Sequence, residues 1–149
     1  MGKKLTQDQI ADQLDITEPF LMIDEFEVVD PGVSARAIKR LTSEDWFFKC
    51  HLPSVQVMPA TLQVEGMLQT MVLLIYSTED HGEHRSYVTD INIKLVSAAK
   101  PGQDITFEAH LSSFRRGIAK GEVVGLSDGQ AICRGAFRYA SPHLMAKPR

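Results

Sequence analysis

The spacing of polar and apolar residues changes several times along the chain, and each change marks an element. Thr6-Gln7-Asp8-Gln9 has a hydroxyl cap with Gln three residues on, which predicts a short helix to about Leu14. Phe20 to Val29 is an apolar-rich strand candidate, followed by the turn residues Asp30-Pro31-Gly32. Val33 to Leu41 pairs back on it, with Val33, Ala35, Ala37 and Leu41 on one face. Thr42 to Met58 is irregular and holds Trp46, Phe47, Phe48 and His51. From Pro59, whose missing N–H costs nothing in a first helical turn, apolar residues continue to about Ser77. Thr78 to Arg85 reads as a polar loop. Alternation then returns in four segments: Tyr87 to Leu95, Ile105 to Leu111, Ile118 to Leu126 and Gln130 to Tyr139. Arg115-Arg116-Gly117 and Ser127-Asp128-Gly129 are hairpin-type turns between them. Ser141 to Arg149 is expected to be loose.

The predicted order is a short helix, two strands, a long helix and four strands, within one domain spanning residues 1–149. Short connections imply an antiparallel sheet. A helix apolar nearly all round must be covered nearly all round, so an α+β arrangement of about six strands curling about one central helix follows. Free sheet edges and leftover apolar surface favour a dimer.

Composition narrows the function. A formal net charge of −3 argues against a nucleic-acid partner. Met1-Gly2-Lys3-Lys4 is followed by polar residues, so no secretory leader is expected. The uninterrupted apolar run Met71 to Tyr76 is far short of the ~20 residues a bilayer needs. Two cysteines, Cys50 and Cys133, do not make a disulfide scaffold. A cytoplasmic setting is the simplest expectation.

One carboxylate, Glu65, interrupts the apolar helix. Burial raises the pKa of such a group and keeps it protonated, as a general acid must be. Gln69, four residues on, shares its face and is placed to orient it. His51 on the preceding loop is a candidate base. The helix start after Pro59, at Ala60 and Thr61, offers free N–H groups to a developing oxyanion. Base, acid and oxyanion donors together suit removal of a proton next to a carbonyl with loss of a leaving group. The competing bland reading is a surface histidine and a solvated glutamate.

The stretch FFKCHLPSVQVMPATLQVEGMLQ resembles the active-site segment of FabZ-type 3-hydroxyacyl-(acyl-carrier-protein) dehydratases. Their pattern is roughly G-H-F-P-G-x-P-V-M-P-G-V-L-x-V-E-A-x-A-Q. His51, Pro53, Val57-Met58-Pro59, Leu62, Val64-Glu65 and Gln69 fall in register. PFLMID at Pro19 to Asp24, KPGQD at Lys100 to Asp104 and FRRGIAKGE at Phe114 to Glu122 are further matches. Cys50, Ser54 and Ala60 stand where the pattern has glycine, and Gln56 where it has proline. The resemblance implies a hotdog fold, homodimers that sometimes assemble as trimers of dimers, and active sites at the dimer interface. It implies that His51 takes the α-proton, that Glu65 of the other subunit protonates the departing hydroxyl, and that N–H groups near Ala60 hold the thioester oxygen. It implies an acyl-carrier-protein partner presenting substrate on phosphopantetheine, with no metal or redox cofactor.

Arg115, Arg116 and Lys120 form a basic cluster, either a solvated hairpin or a docking point for an acidic carrier. Cys50 is expected to be a small packing residue, Trp46, Phe47 and Phe48 core or tunnel wall, and His81 and His84 solvated. Two alternatives stay open: a hotdog thioesterase with Glu65 activating water, and a silent acyl-thioester-binding subunit.

Overall fold

The computed structural model describes residues 2–78 and 80–146. Strands β1 (Lys4–Leu5), β2 (Glu25–Asp30), β3 (Ser34–Arg40), β4 (Tyr87–Leu95), β5 (Asp104–Arg115), β6 (Ile118–Ser127) and β7 (Gln130–Ala140) form one sheet. Its order is β1-β2-β3-β5-β6-β7-β4, and every neighbouring pair is antiparallel. Helices α1 (Gln7–Leu14) and α2 (Ala60–Tyr76) complete it. The two-residue β1 is the strand beyond the six expected from the sequence. It is too short to carry a periodic signal.

Local chemistry explains most boundaries. The Thr6 hydroxyl accepts the Gln9 N–H and the Gln9 side chain accepts the Thr6 N–H, closing the capping box. Arg116–Gly117 and Asp128–Gly129 all have positive φ, the backbone of two-residue hairpin turns. On α2, twelve of seventeen residues are buried, because the sheet wraps the helix. Gly66 lets that wrap close, since a Cβ there would lie 2.5 Å from the Phe107 ring.

Several expectations are corrected. Phe20 to Asp24 is not strand. Its Met22 N–H and Phe20 carbonyl bond to the Gln69 side chain, so the ladder starts only at Glu25. Pro59 is the N-cap rather than a first-turn residue: its φ and ψ are −55° and 134°, and its carbonyl accepts the Leu62 N–H. Val33 precedes β3 and is exposed, while the buried side chains of that face are Ala35, Ala37 and Lys39. Trp46 is 44 % exposed, with its indole N–H donating to the Pro19 carbonyl, whereas Phe47 and Phe48 are core. Cys50 is exposed instead of packed. His81 is half-buried with its ring stacked on Tyr76, whereas His84 is exposed, as expected, with its ring stacked on His143. The tail is partly anchored: buried Ser141 donates its N–H to the Gly117 carbonyl, and Pro142–Leu144 forms a 3-10 turn. The remainder of the expected loose tail, 147–149, and Glu79 of the expected polar loop lie outside the described residues.

One region stays uncovered. Residues of β4 are exposed on both faces, including Tyr87, Val88, Ile91 and Leu95, and Val96 follows them. Among the described residues β4 pairs only with β7, leaving its other edge open.

Candidate active site

Glu65 lies on the one stripe of α2 that the sheet does not cover. It is half-buried, beside half-buried Val64 and Leu68. Gln69 holds it in place. The Gln69 amide nitrogen donates to Glu65 Oε2 and to the Phe20 carbonyl, both at 3.0 Å, and its Oε1 accepts the Met22 N–H at 2.8 Å. That amide is 1 % exposed and has both protons and its oxygen engaged, so it has one orientation. Burial pushes the Glu65 carboxyl above the ordinary range, and the Gln69 bond opposes this only in part.

Glu65 opens on a cleft of about 480 Å3 lined by Ile16, Leu68, Gln69, Val72 and Tyr139, among others. The Tyr139 hydroxyl donates to the Leu68 carbonyl at 2.8 Å, and burial pushes the phenol well up. Sequence reading ended an alternating strand at Tyr139 without assigning the residue to a site.

His51 is half-buried on the loop before α2. Its Nδ1 lies 3.0 Å from the Val57 carbonyl. A carbonyl only accepts, so Nδ1 carries a proton and points Nε2 away from that bond, the nitrogen that holds the lone pair in the neutral ring. The loop is rooted by charge. Lys39 Nζ lies 3.8 Å from Asp24 and 3.5 Å from Asp45, and its side chain is only 6 % exposed. Asp45 also accepts the Thr42 N–H and precedes the 3-10 turn Trp46–Lys49. The Phe47 carbonyl of that turn accepts the His51 N–H at 2.8 Å. Sequence reading missed Lys39. Its signal was a lone cation in the alternation Ala35, Ala37, Lys39, Leu41.

At the helix start, the Leu62 and Gln63 N–H groups both return to the Pro59 carbonyl, and no side chain caps the turn. The N–H groups of Ala60 and Thr61 are left over, and both residues are exposed. His51 does not line the Glu65 cleft. Arg115, Arg116 and Lys120 are exposed and border a depression of about 370 Å3 at the β5–β6 hairpin, apart from the cleft. Among the described residues no group of three or more His, Cys, Asp or Glu side chains is placed to hold a metal ion.

Comparison with known proteins fits this arrangement. The chain is 31 % identical over 134 residues to the 3-hydroxyacyl-[acyl-carrier-protein] dehydratase FabZ of Caldicellulosiruptor bescii, covering 89 % of this chain and 96 % of that one. Its fold matches the dehydratase heterocomplex ApeI:P of Xenorhabdus doucetiae, with a TM-score of 0.72 at 12 % identity over 89 % of this chain and 90 % of that one. A hypothetical thioesterase with coenzyme A from Streptococcus pneumoniae matches with a TM-score of 0.60 at 12 % identity, over 78 % and 88 %. The FabA-like domain model matches residues 16–136, a span that includes His51, Glu65 and Gln69, and the chain belongs to the FabA-like domain family.

Proposed function

We propose that the protein is a hydro-lyase that dehydrates 3-hydroxyacyl thioesters, carried on an acyl carrier protein, to trans-2-enoyl thioesters. The observation that carries this is Glu65: a carboxyl pushed toward its protonated form, oriented by a fully bonded amide, facing an apolar cleft. His51 Nε2 removes the proton at C2. The electron pair passes toward the thioester oxygen, which the Ala60 and Thr61 N–H groups stabilise. It then forms the C2–C3 double bond as the C3–O bond breaks, and Glu65 gives its proton to the departing hydroxyl, releasing water. Only protons move between protein and substrate, so the scheme calls for no metal or redox cofactor.

The absence of His51 from the Glu65 cleft favours a base and an acid from different subunits of a homodimer. The open edge and exposed apolar residues of β4 give that dimer a surface. A trimer of dimers and a cytoplasmic location belong to the same reading. Among the described residues no helix is long and apolar enough to cross a membrane. Arg115, Arg116 and Lys120 dock the acidic carrier or its phosphate, a geometry that arginine suits.

The test is the absorbance of the conjugated enoyl thioester, with 3-hydroxyacyl and trans-2-enoyl substrates on carrier protein and on pantetheine. Interconversion is expected, falling by ~10²–10⁴-fold in His51→Ala and in Glu65→Gln. Reversing the charge of both arginines should raise KM for carrier-borne substrate alone. Thiol release without interconversion would move the protein to the thioesterases.

A further inference from the structure

The Glu65 cleft has a second polar end. Its floor is one stripe of α2: Glu65, Leu68, Gln69, Val72 and Tyr76. The helix rises ~16 Å from Glu65 to Tyr76. Leu68, Val72, Ile16 and Val88 make the middle apolar. At the far end the Tyr76 hydroxyl accepts the Ser86 N–H at 3.0 Å, which leaves its own proton to donate. Arg85 stands on the wall beside it, half-buried.

Arg85 is satisfied only on one side. Its Nη1 donates to the carbonyls of Gly82 and His84, at 3.2 and 2.9 Å. Among the described residues Nε and Nη2 have no partner, and Arg85 is in no ion pair. Arg85 is half-buried, and the exposed carboxylate of Asp15 lines the same cleft without an ion pair to it among the described residues. Its Nε and Nη2 donors are therefore open to an anion that enters the cleft.

Resting on the thioester reading above, we infer that Arg85 and the Tyr76 hydroxyl form a subsite for the far end of the acyl chain, and that this end is a carboxylate. The substrate class is then an ω-carboxy-3-hydroxyacyl thioester. Direction supports the far end. On that reading Glu65 meets C3, and the apolar stripe beyond Glu65 offers a path to the carbons past C3, whereas the pantetheine arm leaves from C1. The planar fork of Arg85 suits a carboxylate, and the Tyr76 proton adds a second donor. A phosphate of the arm shares this chemistry and is the source the experiment must separate.

The experiment compares kcat/KM for 3-hydroxyacyl pantetheine thioesters of matched length ending in carboxylate or in methyl, each with and without the 4′-phosphate. The wild-type protein is expected to favour the carboxylate by about tenfold, the scale of one charge-assisted contact in a partly open cleft. Arg85→Gln should erase that ratio and Arg85→Lys should keep part of it. An equal ratio in wild type and Arg85→Gln overturns the subsite, and so does an Arg85 effect that follows the phosphate. Calorimetry with an unreactive saturated ω-carboxyacyl pantetheine thioether reads the subsite without chemistry. If no thioester turns over, the dehydratase reading fails, and Arg85-dependent binding of that thioether still decides the subsite. Binding equal in wild type and Arg85→Gln removes it.

Discussion

The proposed acid and the proposed base are held in opposite ways. Glu65 sits on a buried helix and is oriented by Gln69, whose three hydrogen bonds join it to Glu65 and to the Phe20–Met22 segment. No ion pair takes part. His51 sits on a loop whose neighbours Leu52 and Val55 are 50 % and 59 % exposed, and the root of that loop is a buried cation between two carboxylates. The two arrangements meet in the segment Pro19 to Asp24. It supplies Phe20 and Met22 to Gln69, Pro19 to the Trp46 indole and Asp24 to Lys39. The difference teaches that the acid is organised within its own chain, while the base loop keeps one side open. On the two-subunit reading, that open side is where the other copy completes the site.

Breaking the charged root should have the largest effect. Lys39→Met leaves Asp24 and Asp45 without their cation and is expected to cost about 3 kcal/mol, measured by urea unfolding. Amide hydrogen exchange should rise across 42–51 and stay low in α2. Unchanged protection in 42–51 would mean that the cation does not root the loop.

Gln69→Ala tests the other half. It strands the Met22 N–H and the Phe20 carbonyl and is expected to cost about 2 kcal/mol. Enoyl formation should fall with it, because Glu65 loses its orientation. Full activity in a folded Gln69→Ala protein would show that burial alone positions the acid.

The smallest effect is a pH dependence. Burial holds the folded-state pKa of Glu65 above the ordinary carboxylate value, so the folded state holds the proton longer than the unfolded state. Stability from this group is therefore complete below the unfolded pKa and falls as pH rises through the folded one. Glu65→Gln should flatten thermal stability across that window and leave the more acidic limb in place. An identical pH profile in the two proteins would contradict the raised pKa.

How much of this was legible in the sequence depended on range. The capping box at Thr6 and the hairpins at Arg116–Gly117 and Asp128–Gly129 were readable because their hydrogen bonds and φ values are set within a few residues. Glu65 and Gln69 were readable as a pair because a helix puts positions four apart on one face. Phe20 to Asp24 was misread, since its composition suits a strand but its backbone bonds go to a side chain forty-seven or more positions away. Lys39 was passed over because its two partners come from separate segments.

By itself, the sequence determined the α+β element order, the central helix and the register that sets an acid, an amide and a histidine near the helix start. Each of these rests on periodicity or on contacts within a turn or two. Only the tertiary structure decided which stripe of α2 stays open, that Gln69 is saturated, that His51 lies outside the Glu65 cleft and that Arg85 stands on its wall in no ion pair among the described residues. These depend on which strands cover the helix and on burial relative to water, and no local pattern of residues encodes either.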